Sequence, residues 1–239
     1  MQRRSIISRE LSLFKSNVLA RLCFPSAAQQ QYFVLPDILP SEEFEALKTI
    51  LMAQKEQLFR QHSFFRKGAA LDAVGLRAAP YRPLLASLVQ DSLLVSVRTR
   101  TQLAELQYVP AEDSNLISLL YYGNEGDGID WHVDGNIYLG DRWAGILTFQ
   151  ERTNDPASKL ELEIRGDRKT FDVAEVENSL ILFRGDHIRH RVRAMNAGEE
   201  RLVVNLLFTT NPAHTRNPIL RGYQSMVNYF FYGKLKPSL

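Results

Sequence analysis

Between residues 93 and 209 the chain runs as short apolar or alternating segments separated by turn residues, a pattern that constrains its fold more than any other. The segments are 93–98, 103–108, 116–122, 145–150, 159–164, 179–183, 190–194 and 202–209. Short strands at this spacing predict an antiparallel sandwich or barrel. The stretch before them has a different period. Ser41 is placed to cap a helix whose first turn carries Glu42 and Glu43, where acids meet the positive end of the helix dipole. Phe44, Leu47, Leu51 and Leu58 then recur at helical spacing, which predicts an amphipathic helix over 41–60. Pro83 opens a second helix that carries Leu84, Leu85 and Leu88. The expected class is α+β but mainly β, with helices first and then a core of about eight strands.

The 239 residues suit one domain, and no repeat or Gly/Ser linker divides them. The expected organisation is a basic N-terminal segment (1–32), one domain (33–210) and an aromatic extension of it (211–239). Within the domain, 33–92 reads as a helical lead-in and 93–210 as the β-core. Tyr223, Tyr229, Phe230, Phe231 and Tyr232 make the extension too aromatic for a free tail, so it is expected to pack on the barrel or on a second subunit in a homodimer. A net charge of +2 gives no strong pull toward nucleic acid or membrane. No apolar run reaches the roughly 20 residues that span a bilayer. The single cysteine, Cys23, cannot close an internal disulfide. The expected location is the cytoplasm. The alternative is an organelle, because Arg3, Arg4, Arg9, Lys15 and Arg21 face only Glu10 in the first 22 residues.

Five histidines occur, at 62, 132, 187, 190 and 214. In His132-Val133-Asp134 the imidazole and carboxylate are two residues apart, so an extended strand projects both from one face. With a distant second histidine they would form a two-histidine, one-carboxylate facial set, which leaves three positions of an octahedral iron(II) open. Alone, the pair also fits a surface strand with two polar residues. The downstream segment Asn178–Asp186 reads as a buried strand running into a tight turn, and His187 and His190 follow it directly. A hairpin centred near 197 or 198 would set His190 opposite Asn205 and put His190, Val192, Arg201, Val203 and Asn205 on one face. His190 and Arg201 would then stand four strand residues apart, roughly 13 Å. That gap suits a short dicarboxylate bridging a metal and a guanidinium, whose planar fork grips carboxylates. Thr148 and Asn205 are pocket-lining candidates by strand parity. Asn136, Tyr138 and Arg142 follow the metal motif, placed to face substrate or solvent, and Trp131 reads as a core or pocket-wall aromatic.

From Leu116 to Phe208 these features resemble the iron(II)/2-oxoglutarate-dependent dioxygenases, in particular the prolyl-hydroxylase-like branch. The resemblance rests on Tyr122 ten residues before His132, on His132-Val133-Asp134, on Asn-Ser-Leu-Ile-Leu-Phe at 178–183, on His190 and Val192, and on Arg201 eleven residues after His190. Residues 33–54 also look like the family's N-terminal lead-in. The likeness implies a double-stranded β-helix (jelly roll) with iron(II) held by His132, Asp134 and His190. His190 is preferred over His187 for its downstream Val192 and its spacing to Arg201. It implies 2-oxoglutarate held by Arg201 and Tyr122, dioxygen as oxidant, and hydroxylation with release of succinate and carbon dioxide. An aspartate at 134 disfavours halogenation, since halogenating members carry a small residue there. Leu207 stands where nucleobase demethylases place a second arginine, so a nucleic-acid substrate is not expected. A small molecule or amino acid ranks first as substrate, ahead of a peptidyl residue. A cupin-like metalloenzyme without cosubstrate, or an inactive binding module, remains as an alternative from another class.

Overall fold

The computed structural model describes residues 32–62, 66–218 and 222. β1 (Tyr32–Leu35) leads into α1 (Ser41–Gln54), and a single 3-10 turn passes the chain to β2 (Phe59–His62) and β3 (Arg66–Asp72). Two more helices follow, α2 (Arg82–Leu88) and α3 (Asp91–Thr101). The remainder is strand: β4 (Gln107–Tyr108), β5 (Ile117–Tyr122), β6 (Gly128–His132), β7 (Arg142–Arg152), β8 (Leu160–Ile164) and β9 (Asp167–Lys169). After the one-turn α4 (Val173–Val176) come β10 (Leu180–Phe183), β11 (Arg189–Val192) and β12 (Glu200–Thr209).

All of these strands join one curled antiparallel sheet in the order β1-β10-β7-β12-β5-β3-β6-β11-β8-β9, with β2 beside β3 and β4 beside β12. This is the expected jelly roll. Alternation along β7 explains how the curl is filled. Trp143, Leu147 and Phe149 point to the helical side, whereas Ala144 and Ile146 point into the barrel. Helix α1 covers the outer face because Phe44, Leu47 and Leu51 recur at three- and four-residue steps and are all buried. Phe44 stacks on Phe149 with ring centroids 5.1 Å apart, and burying each such side chain is worth about 1.5–3 kcal/mol.

Several expectations give way. Residues 93–98 are helical, not a strand. Leu93, Leu94, Val97 and Thr101 form the buried stripe of α3, Asp91 sits in its first turn and Arg98 and Arg100 in its last, so dipole and burial outweigh the β-branched valines. Of 103–108 only the two residues of β4 pair. The first helix stops at Gln54 and the chain is extended again by Phe59; its cap is Pro40, with Ser41 already helical. The region read as helical lead-in also supplies β1, β2 and β3. The hairpin joining His190 to Arg201 does not form. β11 pairs with β6 and β8, whereas β12 pairs with β5 and β7. Residues 193–199 instead cross from one wall of the barrel to the other. They are pinned by the Arg193 N–H on Lys159 O and the Met195 N–H on Asp127 O, both at 2.8 Å. Residues 1–31 of the basic segment and the five aromatics of the tail lie outside the described residues, while Tyr32 already belongs to β1. Among the described residues no helix is long and apolar enough to cross a membrane.

The crossing ends in a turn with Gly198 at φ 79°, a left-handed conformation that glycine adopts without steric cost. Glu199 closes it. Its carboxylate accepts the backbone N–H groups of Asn154 and Asn196 at 2.9 and 2.6 Å and pairs with Lys159 Nζ at 2.5 Å, with both side chains almost fully buried. Burial works against this charge, but the hydrogen bonds outweigh it and hold the carboxyl near a pKa of about 2. Glu199→Gln would leave the buried Lys159 without its carboxylate partner, and is expected to cost roughly 3–5 kcal/mol in urea unfolding. Because the folded value lies below the unfolded one (~4.3), the Glu199 contribution is complete above that pH and is lost as pH falls toward 2. Stability curves from pH 6 to pH 3 should therefore fall more steeply for the wild type than for the glutamine variant.

Candidate metal centre

His132 ends β6, and its cross-strand partner on β11 is His190. The two rings stand 4.1 Å apart at 54°. Asp134 lies just past the strand end, where its N–H donates to Gly185 O at 2.8 Å. Its Oδ1 is 3.9 Å from His132 Nε2 and 3.8 Å from His190 Nε2. The three ligating atoms lie within 4.8 Å of one another, the only such cluster among the described residues. Two donors each about 2.1 Å from one ion lie at most about 4.2 Å apart, so small inward shifts would close the set on a metal.

The tautomers suit that role. Nδ1 of His132 is 2.7 Å from Asp130 O and Nδ1 of His190 is 3.0 Å from Ile188 O. A carbonyl only accepts, so each Nδ1 carries the hydrogen and each Nε2 turns a lone pair to the centre. Burial, with His190 alongside, pushes the pKa of His132 down to about 3, so it is a neutral ligand at neutral pH. Burial opposes the charge of Asp134, but Arg142 and the two histidines prevail and hold its carboxyl below the ordinary range. The Nε of Arg142 is 3.5 Å from Asp134 Oδ2. Gly185 has a further part: a Cβ there would overlap Asp134 Oδ2, so the 184–186 turn can cradle the carboxylate only without a side chain. Two imidazoles and one carboxylate on a single side, open to a cavity on the other, are a donor set suited to iron(II).

The cavity, of about 100 Å³, extends from the three ligands to Arg201. Arg201 is fully buried at the barrel wall, opposite Tyr122 on β5 and Glu151 on β7. Its Nη1 donates to Glu151 and to Ser158 Oγ, the latter at 3.0 Å. Glu151 is fixed in turn by Ser158 Oγ–H at 2.9 Å and the Lys159 N–H at 2.6 Å. Nε and Nη2 of Arg201, by contrast, have no hydrogen-bond partner among the described residues. They form the edge of the guanidinium that binds a carboxylate side-on through two parallel N–H bonds. Buried polar atoms without partners are rare and costly, which makes this edge a candidate ligand contact.

Tyr122 and Asn205 line the same cavity as the metal ligands. Thr148 is fully buried beside Val203, its hydroxyl without a partner among the described residues, but it does not line the cavity. His187 stands apart, partly buried with Asp141, Arg184 and Asp186. Asn136 and Tyr138 are buried ties rather than substrate-facing groups. Asn136 donates to Gly140 O and Asp186, and Tyr138 to Asp113. Trp131 is on the surface side, with the guanidiniums of Arg191 and Arg189 4.8 and 5.6 Å from its ring centroid. Sequence reasoning missed Arg66 and Ser118, which line the cavity, and Glu151, Ser158 and Gly185, which brace it. Only strand parity on β5 offered a signal, for Ser118, which faces Asn205 across the β5–β12 pair.

No family model matches the sequence, and no curated protein matches it. Solved structures do. A prolyl-4-hydroxylase of Pseudomonas putida is similar at 17% identity and TM-score 0.54 over 80% of this chain and 95% of that one. A prolyl hydroxylase of Trichoplax adhaerens, solved with a hypoxia inducible factor peptide fragment, is similar at 16% and 0.55 over 83% and 92%. The fold is that of the iron(II)/2-oxoglutarate oxygenases. HygX of Streptomyces hygroscopicus, solved with nickel, 2-oxoglutarate and hygromycin B bound, shares it at 14% and 0.51 over 75% and 82%. The similar structures thus include enzymes solved with a peptide and with a small molecule.

Alanine at His132, Asp134 or His190 is expected to weaken divalent-metal binding more than about 100-fold by calorimetry, with circular dichroism unchanged, whereas His187→Ala should bind normally. Gly185→Ala, which touches no ligand bond, should also weaken binding, by about 10–100-fold, because its methyl displaces Asp134. Normal affinity in Gly185→Ala would show that the cradle is unimportant.

Proposed function

We propose that the protein is an iron(II)- and 2-oxoglutarate-dependent dioxygenase that hydroxylates an unactivated C–H bond of a small molecule or amino acid. The observation that carries this reading is the open edge of Arg201, buried in the same cavity as the His132, Asp134 and His190 cluster. A site that only held a metal would have no use for a buried guanidinium with two unpartnered donors. A dicarboxylate cosubstrate supplies the missing acceptor.

In this reading His132, Asp134 and His190 hold iron(II) on one side and leave its cavity side open to ligands. When bound, iron(II) with 2-oxoglutarate supplies dioxygen activation, coupled to decarboxylation to succinate and carbon dioxide and to oxidation of a substrate C–H bond. Arg201 receives the far carboxylate through Nε and Nη2, and Glu151 fixes the plane of the fork from behind. Tyr122, directly across from Arg201, and the facing pair Ser118 and Asn205 add polar contacts. Ser118 Oγ and Asn205 Oδ1 have no partner of their own among the described residues. Leu120, Ile146, Leu160 and Val203 wall the remainder with apolar surface that excludes water. HygX, with 2-oxoglutarate and a metal in the same fold, supports this assignment.

Arg201→Ala removes a charge-assisted bidentate contact worth roughly 2–5 kcal/mol. The 2-oxoglutarate concentration for half-maximal succinate formation should then rise by about 30-fold or more, with metal affinity nearly unchanged. An unaltered 2-oxoglutarate dependence in that variant would remove Arg201 from the cosubstrate site.

A further inference from the structure

The two ends of the cavity carry polar groups of opposite kinds. β5 sets these ends apart, because Ser118 and Tyr122 stand four strand residues from each other, roughly 13 Å. At the Tyr122 end Arg201 offers N–H donors. At the other end Ser118 faces Asn205 across the β5–β12 pair, and Asn115 stands just before β5. All three of these side chains line the cavity. Asn205 Oδ1 and Ser118 Oγ are buried and have no hydrogen-bond partner among the described residues, so they do not bond each other. Asn115 is pinned through its Nδ2, which donates to Asp113 Oδ1 at 3.0 Å. A carboxylate only accepts, so the pole of Asn115 left for a ligand is its carbonyl oxygen. This end is an acceptor cluster, and buried acceptors without donors are costly.

β7 locates the cluster relative to the metal. Asn205 pairs with Ile146, whereas Arg201 pairs with Glu151 toward the far end of the strand. Asp134 lies beside Ala144: a Cβ on Gly185 would come within 2.3 Å of Asp134 Oδ2 and 3.4 Å of Ala144 Cβ. The acceptors are therefore at the metal end and the Arg201 donors at the other. 2-Oxoglutarate does not match them. At neutral pH it carries two carboxylates and a keto oxygen, all acceptors, and so complements Arg201 instead. Arg142, which also lines the cavity, is ion-paired with Asp134. A buried ammonium would need a counter-charge, but Asn115, Ser118 and Asn205 are neutral and Asp134 serves the metal. We propose that Asn115, Ser118 and Asn205 form a substrate subsite for an uncharged hydrogen-bond donor, a hydroxyl or a carboxamide N–H, beside the metal. This rests on the oxygenase reading above and narrows its substrate class to small alcohols and amides. Ser118 and Asn205 are specificity residues: by holding that group they select which molecule presents a C–H bond to the metal.

Small probes of one shape and different charge provide the test: acetamide and propan-2-ol as neutral donors, acetate as the anion and acetamidinium as the cation. The whole chain is loaded with manganese(II) and saturated with 2-oxoglutarate. The relaxation of each probe's methyl protons is then measured, with the zinc(II) protein, which has no unpaired electrons, as the blank. At least one neutral probe is expected to show saturable enhancement, about 10-fold or more tighter than acetate and acetamidinium. Which neutral probe binds tighter assigns the subsite to an amide or to a hydroxyl. Asn205→Leu and Ser118→Ala should each weaken that probe, the first by about 10-fold or more, while 2-oxoglutarate still binds and so reports that the variants are folded. Acetate or acetamidinium binding as tightly as the neutral probes overturns the inference without reference to any variant. So does the absence of enhancement from both neutral probes, or probe binding that survives both substitutions. Loss of 2-oxoglutarate binding in both variants with the probe still bound would give the pair to the cosubstrate, and also overturns it. Failure of the wild-type manganese protein to bind 2-oxoglutarate at all would instead sink the oxygenase reading, and the subsite with it.

Discussion

His132 and His190 face each other across the β6–β11 pair, and the rest of the site depends on that register. In a strand pair, a slip of one residue turns every side chain to the opposite face. Here a slip would send one imidazole out of the barrel and destroy the metal cluster. The register is fixed by what surrounds it. β6 is held by β3 on its other side, and β11 by β8, so both metal strands are interior strands of the sheet. Asp134 joins from beyond the end of β6, through its N–H bond to Gly185 O, and its carboxylate needs the bare backbone of that glycine. Asp186 then ties the loop after the metal motif to the turn before β11. The polar loop and the histidine register are parts of one constraint.

The second constraint is electrostatic. Arg201 and Glu151 form an ion pair with no exposure on either side chain. Such a pair is poor evidence for stability, because the cost of removing two charges from water offsets their attraction. Its value here is orientation. Glu151, itself held by Ser158 and the Lys159 N–H, engages only Nη1 and leaves the Nε–Nη2 edge directed at the cavity. A lysine in this place would be a point charge with no edge to present.

The candidate metal cluster was legible in the sequence because chemistry and spacing coincide in it: two residues of the right type, two apart, and a third behind a buried strand. The fold class was legible from the repeated short strands. Arg201 was placed on the cavity by a hairpin that does not exist. Residues 193–199 cross the barrel instead, and His190 and Arg201 meet from opposite walls, an arrangement that no local pattern encodes. Residues 93–98, expected as a strand from their short apolar or alternating pattern, lie within α3, whose buried stripe is helical. Of β6 only the end was legible, where His132 was expected on an extended strand; Gly128-Ile129-Asp130-Trp131 before it lacks apolar alternation. Glu151, Ser158 and Arg66 come from strands far apart in the chain, and only the sheet order brings them to one cavity.

Anaerobic titration of the iron(II)-loaded protein with 2-oxoglutarate tests the assignment most directly. An α-keto acid that chelates iron(II) through its keto and carboxylate oxygens gives a visible metal-to-ligand charge-transfer absorption that neither component has alone. The structure leads us to expect that absorption in the wild type, its loss in Asp134→Ala, and a shift to much higher 2-oxoglutarate concentration in Arg201→Ala. Tight iron binding with no charge-transfer absorption at any 2-oxoglutarate concentration would contradict the account: the cluster would then be a metal site, and the cavity before Arg201 would belong to another ligand.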